Sequence, residues 1–145
     1  MDILHYQQEF LNYLQSKKWI KDPKNLYEPI DYILHLGGKR MRPILTLMAA
    51  DIFSSNYKKA LPAALAVEVF HNFTLVHDDM MDEASLRRGK ETVHTKYDYN
   101  TALLVGDVMI IRAYEFLQQI QPNYLPKILQ LFNRTAREVC EGQQL

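Results

Sequence analysis

The stretch Phe70-His71-Asn72-Phe73-Thr74-Leu75-Val76-His77-Asp78-Asp79-Met80-Met81-Asp82, with Arg87-Arg88-Gly89 just beyond it, decides how this chain folds. Phe73, Val76 and Met80 carry on the one-sided apolar spacing begun by Leu65, Val69 and Phe70. That is the period of an amphipathic helix, expected from about Lys58 to Met81. Its end places Asp78, Asp79 and Asp82 on about one turn. Carboxylates this close repel one another unless a positive group lies between them.

Residues four apart lie about 40° apart around a helix and face the same way. Asp78 and Asp82 meet that condition, so their carboxylates can share one hard cation. Asp79, about 100° away, is expected to support the site rather than lead it. Mg²⁺ takes oxygen ligands, keeps several waters, and uses one or two carboxylates plus the phosphate oxygens of a substrate. An acidic helix end is also a common solvated face. The apolar flanks Leu75, Val76, Met80 and Met81 favour a cleft here. His71 precedes Asp78 by two turns on the same face, although a lone helical histidine is more often a core residue than a ligand. His77 points away from the cluster and reads as structural. Arg87 and Arg88 follow, and guanidiniums hold phosphate in a bidentate fork.

Upstream lies Gly37-Gly38-Lys39-Arg40-Met41-Arg42-Pro43. Paired glycines let backbone approach a ligand closely. Lys39 and Arg42 then fall at a helix start, where free N–H groups already favour an anion. The Gly-x-x-x-x-Gly-Lys-Ser/Thr spacing of a P-loop is absent. A basic helix start without a ligand is the plain alternative.

The rest of the chain is helical in period and shows no strand alternation. Leu4, Gln7/Gln8, Leu11 and Leu14 mark a first helix, and Pro23 closes its exit loop. Ile30, Ile33 and Leu34 mark a second, stopped at Gly37-Gly38. Pro43 suits the first position of a third helix holding Ile44, Leu45, Leu47 and Met48, which Ser54-Ser55-Asn56 breaks. Leu86–Asn100 has no clear period and reads as loop. Helical spacing resumes over Thr101–Ile120 and Pro126–Cys140.

The 145 residues are expected to form one unit, and a domain of that size buries about 68–70% of its unfolded surface. Lys+Arg and Asp+Glu are 17 each, so the basic excess of a general nucleic-acid binder is missing. The single cysteine, Cys140, excludes an internal disulfide and fits a reducing cytoplasm. No apolar run approaches the roughly 18 residues of a membrane span, and the N-terminus lacks a signal-peptide core.

Taken in order, Gly-Gly-Lys-Arg-x-Arg-Pro, His-Asn-x-x-Leu-x-His-Asp-Asp-x-x-Asp and Arg-Arg-Gly-Lys-x-Thr-x-His resemble the trans-isoprenyl diphosphate synthases, or polyprenyl synthetases. Gly106-Asp107 and Gly142-Gln143 resemble later landmarks of that family. The resemblance implies an all-α helical bundle of the isoprenoid synthase fold, usually a homodimer, around a central cavity. It implies a Mg²⁺-dependent joining of isopentenyl diphosphate to an allylic diphosphate. Carried over by motif position, Lys39, Arg42, His71 and Arg88 would bind isopentenyl diphosphate. Asp78 and Asp82 would hold Mg²⁺ on the allylic diphosphate, with Asp79 supporting and Arg87 in contact. A bulky Phe73 beside Thr74 implies a short product, farnesyl or geranylgeranyl diphosphate.

Family members also carry a second aspartate-rich helix and roughly as much chain again. The resemblance therefore implies the N-terminal part, residues 1–145, of a single polyprenyl synthetase domain, with little turnover alone. Two other classes stay open. A metal-dependent phosphohydrolase would use His71 and His77-Asp78 as ligands, but His5, His35 and His94 do not supply the further spacing it wants. A non-catalytic subunit of a complete synthase would have no need of intact aspartates and arginines.

Overall fold

The computed structural model describes residues 2–145. Its axis is the helix that the opening stretch ends. This helix, α4 (Leu61–Met81), has 21 residues and so runs about 30 Å. Leu65, Ala66, Val69 and Val76 are buried along it, and so are the polar Glu68, Asn72 and Asp79. It is preceded by α1 (Ile3–Gln15), α2 (Lys24–Leu34), α3 (Met41–Phe53) and a 3₁₀ turn, Tyr57–Ala60. It is followed by strands β1 (Leu86–Arg87) and β2 (Lys90–Glu91), then α5 (Val93–Lys96), α6 (Tyr99–Leu117) and α7 (Leu125–Gln144). The architecture is the expected all-α bundle. Helix α6 packs along α4, with α3 beside it, and no described helix is long and apolar enough to cross a membrane.

The α4–α6 contact is close because Gly106 has no side chain. A Cβ there would fall 2.1 Å from Nε2 of His77. The same Nε2 is 3.1 Å from the Leu103 carbonyl, and the ring stands edge-on to Phe73. His77 is thus a packing residue, as its direction on the helix implied.

Three local expectations change. In α1 the buried face is Tyr6, Phe10 and Leu14, whereas Leu4 is exposed and Leu11 only partly covered. Both stripes have helical spacing, but the aromatic one buries more area, and the Tyr6 hydroxyl donates to Asp51 of α3 at 2.6 Å. That bond to a carboxylate, with burial, pushes the Tyr6 phenol up to about 12. In α3 the helix starts at Met41, so Pro43 is its third residue. Pro43 is still within the first turn, where a missing N–H breaks no helical bond.

The third change lies in Leu86–Asn100, which is not plain loop. Leu86 pairs with Glu91 and Arg87 with Lys90 in an antiparallel hairpin. Its central residues Arg88 and Gly89 have φ of 53° and 75°, the positive pair that a type I′ turn requires. Strands of two residues are too short to show alternation. Helix α6 then begins earlier than its apolar pattern, because the Asp98 side chain caps it by accepting from the Thr101 N–H at 2.7 Å.

Because the interhelix gap at Gly106 has no room for a methyl group, Gly106→Ala should destabilise the chain by about 1–2 kcal/mol, its better helix propensity notwithstanding. Denaturant unfolding measures this; equal or greater stability would contradict the close approach.

Candidate active site

The candidate residues gather along α4 from its middle to its C-terminal end, in two groups of opposite charge. The basic group is built on the turn between α2 and α3. Gly37 and Gly38 have φ of 96° and 119°, and Arg40 follows at 56°. A non-glycine residue in this left-handed region is held at a cost of about 1–3 kcal/mol. The turn sends Arg40 inward while Lys39 and Arg42 stay exposed. Arg40 donates from Nη1 to Oε2 of Glu68 at 3.0 Å and from Nη2 to the Leu34 carbonyl at 2.6 Å. Lys39, Arg40, Arg42, Glu68, His71 and Arg88 line a cleft of about 320 Å³.

His71 faces this cleft from α4. Arg42 Nη1 lies 3.3 Å from its Nε2. A guanidinium can only donate, so Nε2 is the unprotonated nitrogen and Nδ1 carries the hydrogen. Burial, then the charges of Arg42, Arg88, Arg87 and Arg40, hold the imidazole down to about 4. His71 is therefore neutral at pH 7 and leaves the cleft's cationic character to the arginines and Lys39.

The hairpin joins the two groups. Arg87 ends β1 and Arg88 opens the turn at a positive φ, so the two side chains leave the backbone in different directions. Arg88 lies against Gly38, where a Cβ would fall 2.9 Å from its Nη2, so this glycine makes room for a guanidinium. Burial and the charges of Arg87 and Arg40 lower the Arg88 pKa. Arg87 turns the other way. It grips Asp79 in a bidentate fork, Nε to Oδ2 and Nη2 to Oδ1, both at 2.8 Å. That hydrogen bond, against the opposing effect of burial, raises the Arg87 pKa.

Asp79 is thus the buried, committed carboxylate of the acidic group. Asp78 is half-buried and Asp82 is exposed at the helix cap. Burial, then the charges of Asp82 and Asp79, raises the Asp78 pKa. A helix C-terminus adds its own partial negative charge. Asp78 and Asp82 are therefore two carboxylates short of positive charge, and they suit a divalent cation that brings its remaining oxygens from water and phosphate. No three His, Cys, Asp or Glu side chains converge as a metal cage among the described residues. His77 is turned to α6 and His71 to Arg42, so neither joins Asp78 in the arrangement a phosphohydrolase would want.

Phe73 is buried on the far side of Asp78, its ring 5.4 Å from Phe70 and 4.9 Å from His77. The row continues through Phe132 of α7 to Tyr114 of α6. Thr74 is half-buried and donates to the His71 carbonyl at 2.6 Å. Arg40 and Glu68 are the functional-site residues the motif reading passed over. A signal was available: Glu68 is a carboxylate in an otherwise apolar run and needs a buried cation.

The all-α bundle is that of the isoprenoid synthase fold, which its solved neighbours share. The polyprenyl synthetase family model matches residues 23–145, and the chain belongs to that family. It is 43% identical over 125 residues to a geranylgeranyl pyrophosphate synthase of Geoglobus acetivorans, covering 85% of this chain and 39% of that protein. It is 42% identical over 125 residues to a geranylgeranyl diphosphate synthase of Methanosarcina mazei, again 85% of this chain and 39% of that one. A crystal structure of a geranylgeranyl pyrophosphate synthase superposes with a TM-score of 0.96 at 52% identity, covering 99% of this chain and 44% of the other. The chain spans about two fifths of the length of the curated relatives it matches.

Followed by NMR, the His71 imidazole should titrate near pH 4 rather than 6.5. Its folded pKa lies below its unfolded one, so the unfolded chain binds more protons in that window and His71 lowers stability as pH falls through it. Inorganic diphosphate in the cleft should raise the midpoint by offsetting the arginine charges; a midpoint above 6 in the free chain would contradict this environment.

Proposed function

We propose that this chain forms the diphosphate-binding wall of a prenyltransferase that joins isopentenyl diphosphate to an allylic diphosphate and makes a short-chain product. The observation that carries the reading is the hairpin, which holds a guanidinium at each of two adjoining sites of opposite character. Lys39, Arg42, His71 and Arg88 take the diphosphate of isopentenyl diphosphate in the basic cleft. Asp78 and Asp82 would hold Mg²⁺, and Arg87, steered by Asp79, donates to the allylic diphosphate from its remaining N–H groups. Mg²⁺ bound there would supply Lewis-acid stabilisation of the departing diphosphate.

The fixed guanidiniums match the charge that grows on the leaving group as the allylic C–O bond ionises. The apolar residues Leu75, Val76 and Met80 next to the aspartates keep water from the carbocation. The double bond of isopentenyl diphosphate then attacks, and a proton is lost. No covalent enzyme intermediate is needed. Phe73, with Thr74 beside it, limits the growing chain to farnesyl or geranylgeranyl length. The names of relatives, geranylgeranyl and geranylfarnesyl synthases among them, support a short-chain product. This chain spans about two fifths of its relatives' length, and by itself it is expected to turn over poorly. A homodimer would cover exposed apolar residues such as Ile52, Phe53 and Ile111.

The test is incubation with isopentenyl diphosphate, allylic primers of increasing length and Mg²⁺, using this chain and a longer protein that contains it. The longer protein should form a prenyl diphosphate. Asp78→Asn or Asp82→Asn in it should cut kcat by roughly 10²–10³-fold, as loss of one preorganised charge-stabilising group does. Release of phosphate without prenyl product would refute the reading. In the same assay Phe73→Ala should lengthen the product, and an unchanged product would remove Phe73 as the limit.

A further inference from the structure

Arg40 and Glu68 form the only ion pair among the described residues with both side chains about 5% exposed. A pair this deep is weak evidence for stability, because removing both charges from water offsets their attraction. Apolar residues of similar volume often serve folding as well. Arg40 spends Nη1 on Glu68 and Nη2 on the Leu34 carbonyl and is only 7% exposed, whereas Lys39 and Arg42 on the same turn are exposed to the cleft.

We propose that this buried pair is a positioning device: Glu68, from the rigid middle of α4, fixes the left-handed turn at Arg40 and so aims Lys39 and Arg42 into the basic cleft. The inference rests on the cleft's being the diphosphate site. Arg40 ties together the last turn of α2, the first of α3 and the middle of α4. Its neighbours on either side are the residues that face the cleft. Gly37 and Gly38 leave the turn without any intrinsic preference for one path. An inward anchor at Arg40 removes that freedom before the anion arrives, which lowers the ordering cost of binding. Arg42, two residues on, meets His71, three residues after Glu68 on the same helix. The loop is therefore pinned to α4 at one inner point and presented to it at one outer point. Because the pair is neutral as a unit, Lys39, Arg42 and Arg88 supply the cleft's net positive charge.

The deciding variant is Arg40→Met/Glu68→Leu, which leaves net charge unchanged and packs the space. Inorganic diphosphate is the probe, its Kd measured by calorimetry beside the thermal midpoint. The expected result is a midpoint within a few degrees of the unsubstituted chain and binding at least tenfold weaker. Arg40→Lys is the second arm; it keeps the charge but cannot span both Glu68 and the Leu34 carbonyl, and should weaken binding several-fold at an unchanged midpoint. Unaltered affinity in whichever variant folds overturns the inference while the functional reading stands. Unfolding of both makes the pair a stability element and also overturns it. Failure of the unsubstituted chain to bind diphosphate overturns the functional reading and the inference with it.

Discussion

A helix buried on nearly every side cannot leave a polar side chain unsatisfied, and α4 carries three: Glu68, Asn72 and Asp79. Each unpaired group at that depth costs more than a hydrogen bond returns. Asn72 is satisfied within the helix, donating to the Glu68 carbonyl at 2.9 Å. The two acids cannot be, because each needs a cation. Glu68 draws in Arg40 from the turn before α3, and Asp79 draws in Arg87 from the hairpin after α4. The demands of one buried helix thus bring the turn before α3 against its middle and the hairpin after α4 against its C-terminal end. Lys39, Arg42 and Arg88 ride on those loops.

The charge pattern of the site follows from the same two pairs. Arg40 and Arg87 are neutralised by buried partners, so the groups left facing outward are cations on one side and Asp78 and Asp82 on the other. Between them His71 is kept neutral by its surroundings. A neutral imidazole can accept from Arg42 without adding repulsion to it. The hairpin is the mechanical link, because Arg87 ends β1 while Arg88 opens its turn at a positive φ, and their side chains go to opposite halves. A type I′ turn of Arg88 and Gly89 holds them there at the cost of one non-glycine residue in the left-handed region.

Much of this was legible without coordinates. The period from Leu65 to Met80 sets α4, and Asp78 and Asp82 at a spacing of four share its face whatever packs around them. The order of the three motifs pointed to the family that the family-wide match confirms. The hairpin was not legible, because two residues per strand are below the length at which alternation shows. The buried face of α1 was not either, since two helical stripes fit and only the Tyr6–Asp51 contact across elements decides between them. Arg40 was overlooked because it sits between two other basic residues, Lys39 and Arg42, with nothing local to mark it as the inward one.

By itself the sequence determined the helical period, the position of the acidic cluster at a helix end and the supply of basic residues on either side, because each depends on spacing along one element. Tertiary structure alone decided which of these charges are spent inside and which face the cleft. Asp79 and Arg87 are adjacent in motif to Asp78 and Arg88 and chemically the same, yet the first two form a bidentate pair and the second two do not pair with each other. That division depends on what lies across the gap from each side chain, and the distance across a gap is not encoded in the spacing along a chain.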